Sequence, residues 1–154
     1  MNSDYIKLIA TNKKARHNYK IEADYEAGIV LAGTEVKSIR EGRVSFKDAY
    51  ADIKNGEAFL RQLHISPYKY AGYGNHETLR TRKLLLHRYE IKKLIGKIKK
   101  RGYTLVPLKI YFKNNHVKVQ IGLGRGKKLY DKRESIKQRD LKRDMDRERK
   151  RRSY

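Results

Sequence analysis

Beyond Gly126 the chain has almost nothing to bury. Residues 125–154 hold 14 Lys or Arg against 6 Asp or Glu, a net +8, and past Asp131 only Ile136, Leu141 and Met145 are apolar before the terminal tyrosine. Without contiguous apolar surface that stretch cannot build a core. Any core must therefore come from residues 1–124, leaving 125–154 as a basic tail. The break falls at Gly122-Leu123-Gly124-Arg125-Gly126, where a patterned strand ends. This run lacks the final spacing and the strand-to-helix context of a dinucleotide loop, so it reads as a hinge.

The tail nonetheless keeps helical spacing. Asp140 and Arg143, Asp144 and Arg147, and Glu148 and Arg151 stand three apart, while Arg139, Arg143, Arg147 and Arg151 form one stripe. Such pairs contribute a few tenths of a kcal/mol each, roughly, which does not order an isolated helix in water. The expectation is a tail that is disordered when free and helical when docked on a polyanionic surface.

In the body, Asn12-Lys13-Lys14-Ala15-Arg16-His17-Asn18 is a basic segment with room for one or two helical turns. Tyr19, Ile21, Ala23, Tyr25 and Ala27 then alternate with charged residues, the period-two pattern of a half-buried strand that Ile29 and Leu31 can continue past Gly28. Thr34 as N-cap and Gly42 as stop frame a short helix that turns Val36 and Ile39 inward. Glu35 in its first turn suits the helix dipole. Asn55-Gly56 between two apolar runs marks a hairpin. Residues 67–77 have no period and carry Tyr68, Tyr70 and Tyr73, which either lie against the surface or stack on bases. Leu84, Leu85, Ile91, Leu94, Ile95 and Ile98 are spaced as one helix face that Gly102 ends. Leu108, Ile110 and Phe112, then Val117, Val119 and Ile121, alternate around Asn114-Asn115 as a second hairpin. The pattern predicts a mainly β fold with two to three helices, its five or six antiparallel strands closed into a small barrel resembling the oligonucleotide/oligosaccharide-binding fold (OB-fold).

Charge narrows the function. A net +22 repels itself, so a strongly negative partner is the economical explanation. Nucleic acid comes first. Membrane comes second, but Leu84-Leu85-Leu86 is only three residues, far below the ~20 needed to span a bilayer, and residues 1–11 lack the apolar stretch of a signal peptide. Cysteine is absent, which excludes disulfides and thiolate metal sites and fits a cytoplasmic location. The five histidines show no metal-ligand spacing, and neither a nucleophile elbow nor a phosphate-binding loop is spelled out, so neither cofactor, metal nor catalytic residue is expected.

Several blocks in order give a sharper reading. Asn12-Lys13-Lys14-Ala15-Arg16-His17, Gly33-Thr34-Glu35-Val36-Lys37-Ser38-Ile39-Arg40, Gly56-Glu57-Ala58-Phe59-Leu60, Arg80-Thr81-Arg82-Lys83-Leu84-Leu85-Leu86 and Gly126-Lys127-Lys128-Leu129-Tyr130-Asp131-Lys132-Arg133 together resemble the small protein B (SmpB) family, the SsrA-binding proteins of bacterial trans-translation. The resemblance spans nearly the whole chain. It implies a non-catalytic adaptor that binds the tRNA-like domain of transfer-messenger RNA and carries it to stalled ribosomes. The tail would enter the empty messenger channel near the decoding centre on the small subunit, beside 16S rRNA. Elongation factor Tu would be an indirect partner, and a monomer in a 1:1 RNA complex is implied.

The same resemblance carries Asn12, Glu35 and Leu94 over as positions that matter to RNA binding, with Lys13, Lys14, Arg16, His17, Arg80, Arg82 and Lys83 supplying phosphate contacts. Leu94 also fits a purely core role. It assigns Arg125, Lys127, Lys128, Tyr130, Asp131, Lys132, Arg133, Ile136 and Lys137 to ribosome engagement. Tyr130 stands where some members carry histidine, so a ring can stack there but imidazole protonation cannot operate. On charge alone the alternatives are a general rRNA-binding ribosomal or assembly protein and, more weakly, an RNA-modifying enzyme.

Overall fold

A computed structural model describes residues 4–100, 102–127 and 129–152 and shows a mixed β+α fold, a large antiparallel sheet with four α-helices among those residues. The period-two segment is β2 (Tyr19–Ile29), half-buried and exposed in turn up to the fully buried Ala27, and it ends two residues short of Leu31. β4 (Tyr50–Lys54) and β5 (Glu57–Arg61) form the expected hairpin. Its turn residues Asn55 and Gly56 both take positive φ, 54° and 76°, as a two-residue hairpin loop demands. β8 (Tyr103–Lys113) and β9 (His116–Gly126) form the second hairpin, each 11 residues long.

Other strands depart from the sequence pattern. β1 (Ile6–Thr11) pairs with the far end of β8, and β3 (Val44–Ser45) bridges β6 (His64–Ile65) in a separate two-stranded sheet. β7 (Arg82–Leu85) is a strand where helical spacing predicts the start of a helix. The helix α3 (Arg88–Ile98) begins only after it. Nine strands are thus present among the described residues, against five or six expected. Seven form the main sheet in the order β1-β8-β4-β5-β7-β2-β9, and β9 also pairs with β8.

Two apolar clusters sit on this sheet. The main one includes the fully buried Ile39 of α2 (Gly33–Arg40), Leu94 of α3, and Leu60, Ile110, Val119 and Ile121 from the strands. A smaller one joins Ala15 of α1 (Ala15–Asn18) to Val106 and Leu108. Successive strand residues face opposite sides, so Leu105 joins the main cluster and Val106 the smaller. A register shift between Pro107 and Lys109 then resets the alternation. That bulge is why Leu108 does not share a cluster with Ile110 and Phe112, contrary to their simple alternation.

The hinge expected at residues 122–126 is also corrected: the run is the last part of β9, paired with β2 and β8. A Cβ on Gly122 would stand 3.0 Å from the Leu108 side chain, and one on Gly124 3.0 Å from Ile21 and 3.1 Å from the Lys20 carbonyl. These glycines allow close approach within the sheet. α4 (Leu129–Arg152) follows as a single helix of 24 residues.

Candidate nucleic-acid interface

Two basic regions and one buried ionic node carry the residues singled out by sequence. The node starts at α2. Its N-cap is Ala32, in extended conformation, rather than Thr34, whose hydroxyl is taken by His76 Nδ1 at 2.9 Å. Glu35 reaches back so that its Oε1 accepts from the Ala32 N–H at 2.8 Å, one half of a capping box. The same Oε1 accepts from Arg80 Nη2 at 2.5 Å, and Oε2 accepts from Arg82 Nε. Glu35 and Arg82 are both fully buried.

Arg82 then spends its remaining donors on main-chain carbonyls: Nη1 on Leu63 at 2.7 Å, Nη2 on Glu77 and Thr78 at 3.4 and 3.2 Å. A buried charge is tolerated only when paired and hydrogen-bonded, and this guanidinium is both. Burial pushes Glu35 up, but hydrogen bonds from Arg80, the Ala32 N–H and Arg82 outweigh it and hold the carboxyl below its ordinary value. Burial also pulls Arg82 down, opposed by Glu35. Arg82 therefore has no free face for a phosphate. Its expected contact is corrected to an internal one, and Arg80, partly exposed, is the member of the pair that reaches solvent. Glu35 and Leu94 likewise present no surface, so any effect on RNA runs through the shape they hold.

The first basic region is α1. Asn12, half-buried, donates through Nδ2 to the Pro107 carbonyl at 2.9 Å and through its N–H to the Leu108 carbonyl at 2.7 Å. Its own carbonyl accepts the Ala15 N–H. Asn12 thus ties the β8 bulge to the start of α1, which points Lys13, Lys14 and Arg16 into solvent. Lys13 and Lys14 line one wall of a groove of about 890 Å³ whose other wall holds Phe46, Lys47 and the exposed Tyr50. Lys47 and Tyr50 join the basic segment only through the fold, so no local motif could have named them. Lys83 is exposed on β7 and pairs with Glu57 at 3.2 Å.

The second region is α4, which lies beside α1. Arg139 Nη2 donates to His17 Nδ1 at 3.3 Å, and Lys13, Arg16, Gln138 and Lys142 surround a cleft of about 390 Å³ there. Of the tail residues, Arg125 is exposed and stacks on Tyr103 with its guanidinium carbon 5.0 Å from the ring centre, and the Lys127 N–H donates to Asn18 O. Arg133, Ile136 and Lys137 are exposed on α4. Lys128 and the side chains of Tyr130, Asp131 and Lys132 lie outside the described residues. Among the described residues no helix is long and apolar enough to cross a membrane.

A family model described as "SmpB protein" matches residues 9–151. An SsrA-binding protein of Geobacillus sp. (strain WCH70) is 61% identical over 141 residues, covering 92% of this chain and 91% of the relative. An SsrA-binding protein of Bacillus subtilis (strain 168) is 59% identical over 141 residues, with 92% and 90% covered. Among solved structures, a chain described under "tmRNA-SmpB: a journey to the center of the bacterial ribosome" superposes with a TM-score of 0.66 at 50% identity, over 78% of this chain and 85% of that one.

Proposed function

The chain belongs to the SmpB family, and from that premise we propose that it is an RNA-binding adaptor of trans-translation. It binds the tRNA-like domain of transfer-messenger RNA (SsrA RNA) and brings that RNA to stalled ribosomes, so that incomplete proteins are tagged and the ribosomes released. The likeness to the tmRNA-SmpB chain at 50% identity is the observation that carries this reading. It is an adaptor rather than an enzyme, acts in the cytoplasm as a monomer with one RNA, and needs no cofactor.

The two basic regions divide the work. Residues 1–124 form the body, which meets the RNA through Lys13, Lys14, Arg16, His17, Arg80 and Lys83, held in place by Asn12, Glu35, Arg82 and Leu94, and residues 125–154 form the tail. The body is read as a closed barrel resembling the OB-fold. Its support is the pairing path β8-β4-β5-β7-β2-β9, which returns to β8. The tail engages the small subunit and its 16S rRNA through Arg125 to Lys137 and enters the empty messenger channel as a helix. α4 carries charged residues on every side, and its apolar Ile136, Leu141 and Met145 are exposed. Among its described residues α4 has no buried apolar stripe to hold it on its own body, which favours order on docking and disorder when free.

The experiment is a binding titration of the full chain against the isolated tRNA-like domain, with bulk ribosomal RNA as competitor, followed by tag addition on stalled ribosomes. Preference for the tRNA-like domain and restored tagging are expected. Equal binding to bulk ribosomal RNA would move the general rRNA-binding reading ahead.

A further inference from the structure

The loop of residues 67–77 is an ordered platform whose two outermost rings stand in solvent. Asn75 clamps its base in both directions: Oδ1 accepts the Tyr68 N–H at 3.1 Å and Nδ2 donates to the Tyr68 carbonyl at 2.9 Å. His76 next to it donates through Nε2 to the Ile65 carbonyl at 2.9 Å and turns Nδ1 to the Thr34 hydroxyl, which fastens the loop to α2. Arg82 grips the carbonyls of Glu77 and Thr78, so the buried ionic node meets this loop where it ends. A single turn of 3-10 helix at Gly72–Gly74 closes the tip.

On that frame sit three tyrosines. Tyr68 is half-buried, with Lys37 Nζ 5.2 Å from its ring centre, and it meets Tyr70 edge-on at 5.7 Å. Tyr70 is 73% exposed, beneath Lys69 Nζ at 5.8 Å, and Tyr73 is 111% exposed. Exposed phenol rings gain nothing for the fold by standing in water. Rings flanked by lysines and presented by a rigid loop have the makeup of a single-strand reading site: ring faces for bases, ammonium groups for the adjoining phosphates.

We propose that Tyr70 and Tyr73 form a stacking site for unpaired bases of a structured RNA, with Lys37 and Lys69 taking the neighbouring phosphates. The proposal rests on the RNA-binding reading above and names which loop reads unpaired bases. It also gives buried Glu35 a route to RNA affinity, since the node it closes with Arg82 fixes both the approach to the loop at Leu63 and its end at Glu77 and Thr78.

The test uses the full chain and a tRNA-like RNA carrying 2-aminopurine at unpaired loop positions. Wild type, Tyr70→Ala/Tyr73→Ala and Tyr70→Phe/Tyr73→Phe are compared by affinity, salt slope and 2-aminopurine fluorescence. Stacking on an aromatic ring is worth a factor of roughly five to 150 per base on alanine substitution. The alanine variant is expected to bind at least about tenfold more weakly, with an unchanged salt slope and no fluorescence change on binding, while the phenylalanine variant matches wild type. Wild-type affinity in the alanine variant overturns the proposal, as does an equal loss in the phenylalanine variant, which would assign the effect to the hydroxyls. Failure of wild type to bind the RNA at all would instead defeat the adaptor reading. Both rings lie outside the core, so loss of folding does not confuse the result.

Discussion

Glu35 and Arg82 form an ion pair across 47 residues of sequence in which neither side chain keeps accessible surface. One is on the first turn of α2, the other on β7, and together they close the space between helix, strand and the loop that follows β6. Removing one partner leaves the other charged, buried and unpaired. Glu35→Ala is expected to cost about 3–5 kcal/mol of stability, the scale for breaking a buried pair from one side. Arg82→Lys should also be strongly destabilised when tested in the same way, because a point-charge ammonium cannot reproduce the separately directed donors of the guanidinium. Urea unfolding of both variants checks the pair, and near-wild-type midpoints would remove the node from the account.

Acid should unfold the wild type through this same carboxyl. In the unfolded chain Glu35 titrates at its ordinary 4.5, whereas in the folded protein it lies lower. The folded carboxyl binds its proton less tightly, so its stabilising effect is full above 4.5 and is lost as pH falls through the folded value. Glu26, lowered chiefly by the Tyr111 hydroxyl, adds a smaller slope of the same sign. A plot of urea midpoint against pH should therefore fall below pH 4.5 in wild type and fall less steeply in Glu35→Gln. Parallel curves would show that the acid slope comes from elsewhere.

β7 shows what sequence could and could not reveal. Its residues alternate in burial, yet the first inward residue is Arg82 rather than an apolar one, and the outward Leu85 is 53% exposed. Period-two reading fails on both, because the partner that makes an inward arginine tolerable is Glu35, 47 residues earlier. The hairpin at Asn55-Gly56 was legible because a two-residue turn states its requirement locally. β2 was legible because its charges stay on one face. Asn12, Lys13, Lys14 and Arg16 could be named from the chain, but the groove that the first three share with Phe46, Lys47 and Tyr50 exists only after β8 has been brought against α1.

The end of β9 offers a direct check on its corrected role. A hinge would tolerate alanine, whereas a close-packed strand would not. Gly124→Ala places a methyl 3.0–3.1 Å from Ile21, Tyr19 and the Lys20 carbonyl, the last of which is backbone and cannot swing aside. It should destabilise by about 1–3 kcal/mol, as overpacking does. Gly126→Ala, with nothing within 4 Å, should be close to neutral. Similar melting temperatures for the two would restore the hinge.

Salt dependence separates the two kinds of arginine and lysine. Each phosphate neutralised by an exposed cation adds about 0.9 to the slope of log affinity against log salt on a duplex, and about 0.7 on a single strand. Lys13→Ala and Lys14→Ala remove exposed charges without touching the core, so each should lower the slope by roughly that amount and leave the melting temperature unchanged. Arg82→Ala should do the reverse, lowering the melting temperature while the slope per bound molecule stays near wild type. A slope change for Arg82→Ala as large as that for Lys13→Ala would return Arg82 to the interface.

Deleting residues 129–154 tests the division between body and tail. Among the described residues neither apolar cluster contains a residue of α4, so the truncated chain should melt as a single transition at the wild-type temperature. Its described contacts with the body include the polar one from Arg139 to His17, and exposed pairs of that kind hold little free energy. RNA affinity should fall only by the share that the net positive charge of the tail contributes through screening, a loss that added salt abolishes. On the proposed division of labour, tag addition on stalled ribosomes should disappear altogether. Loss of salt-resistant RNA affinity together with tagging would mean that body and tail form one binding surface, with the α1–α4 cleft at its centre.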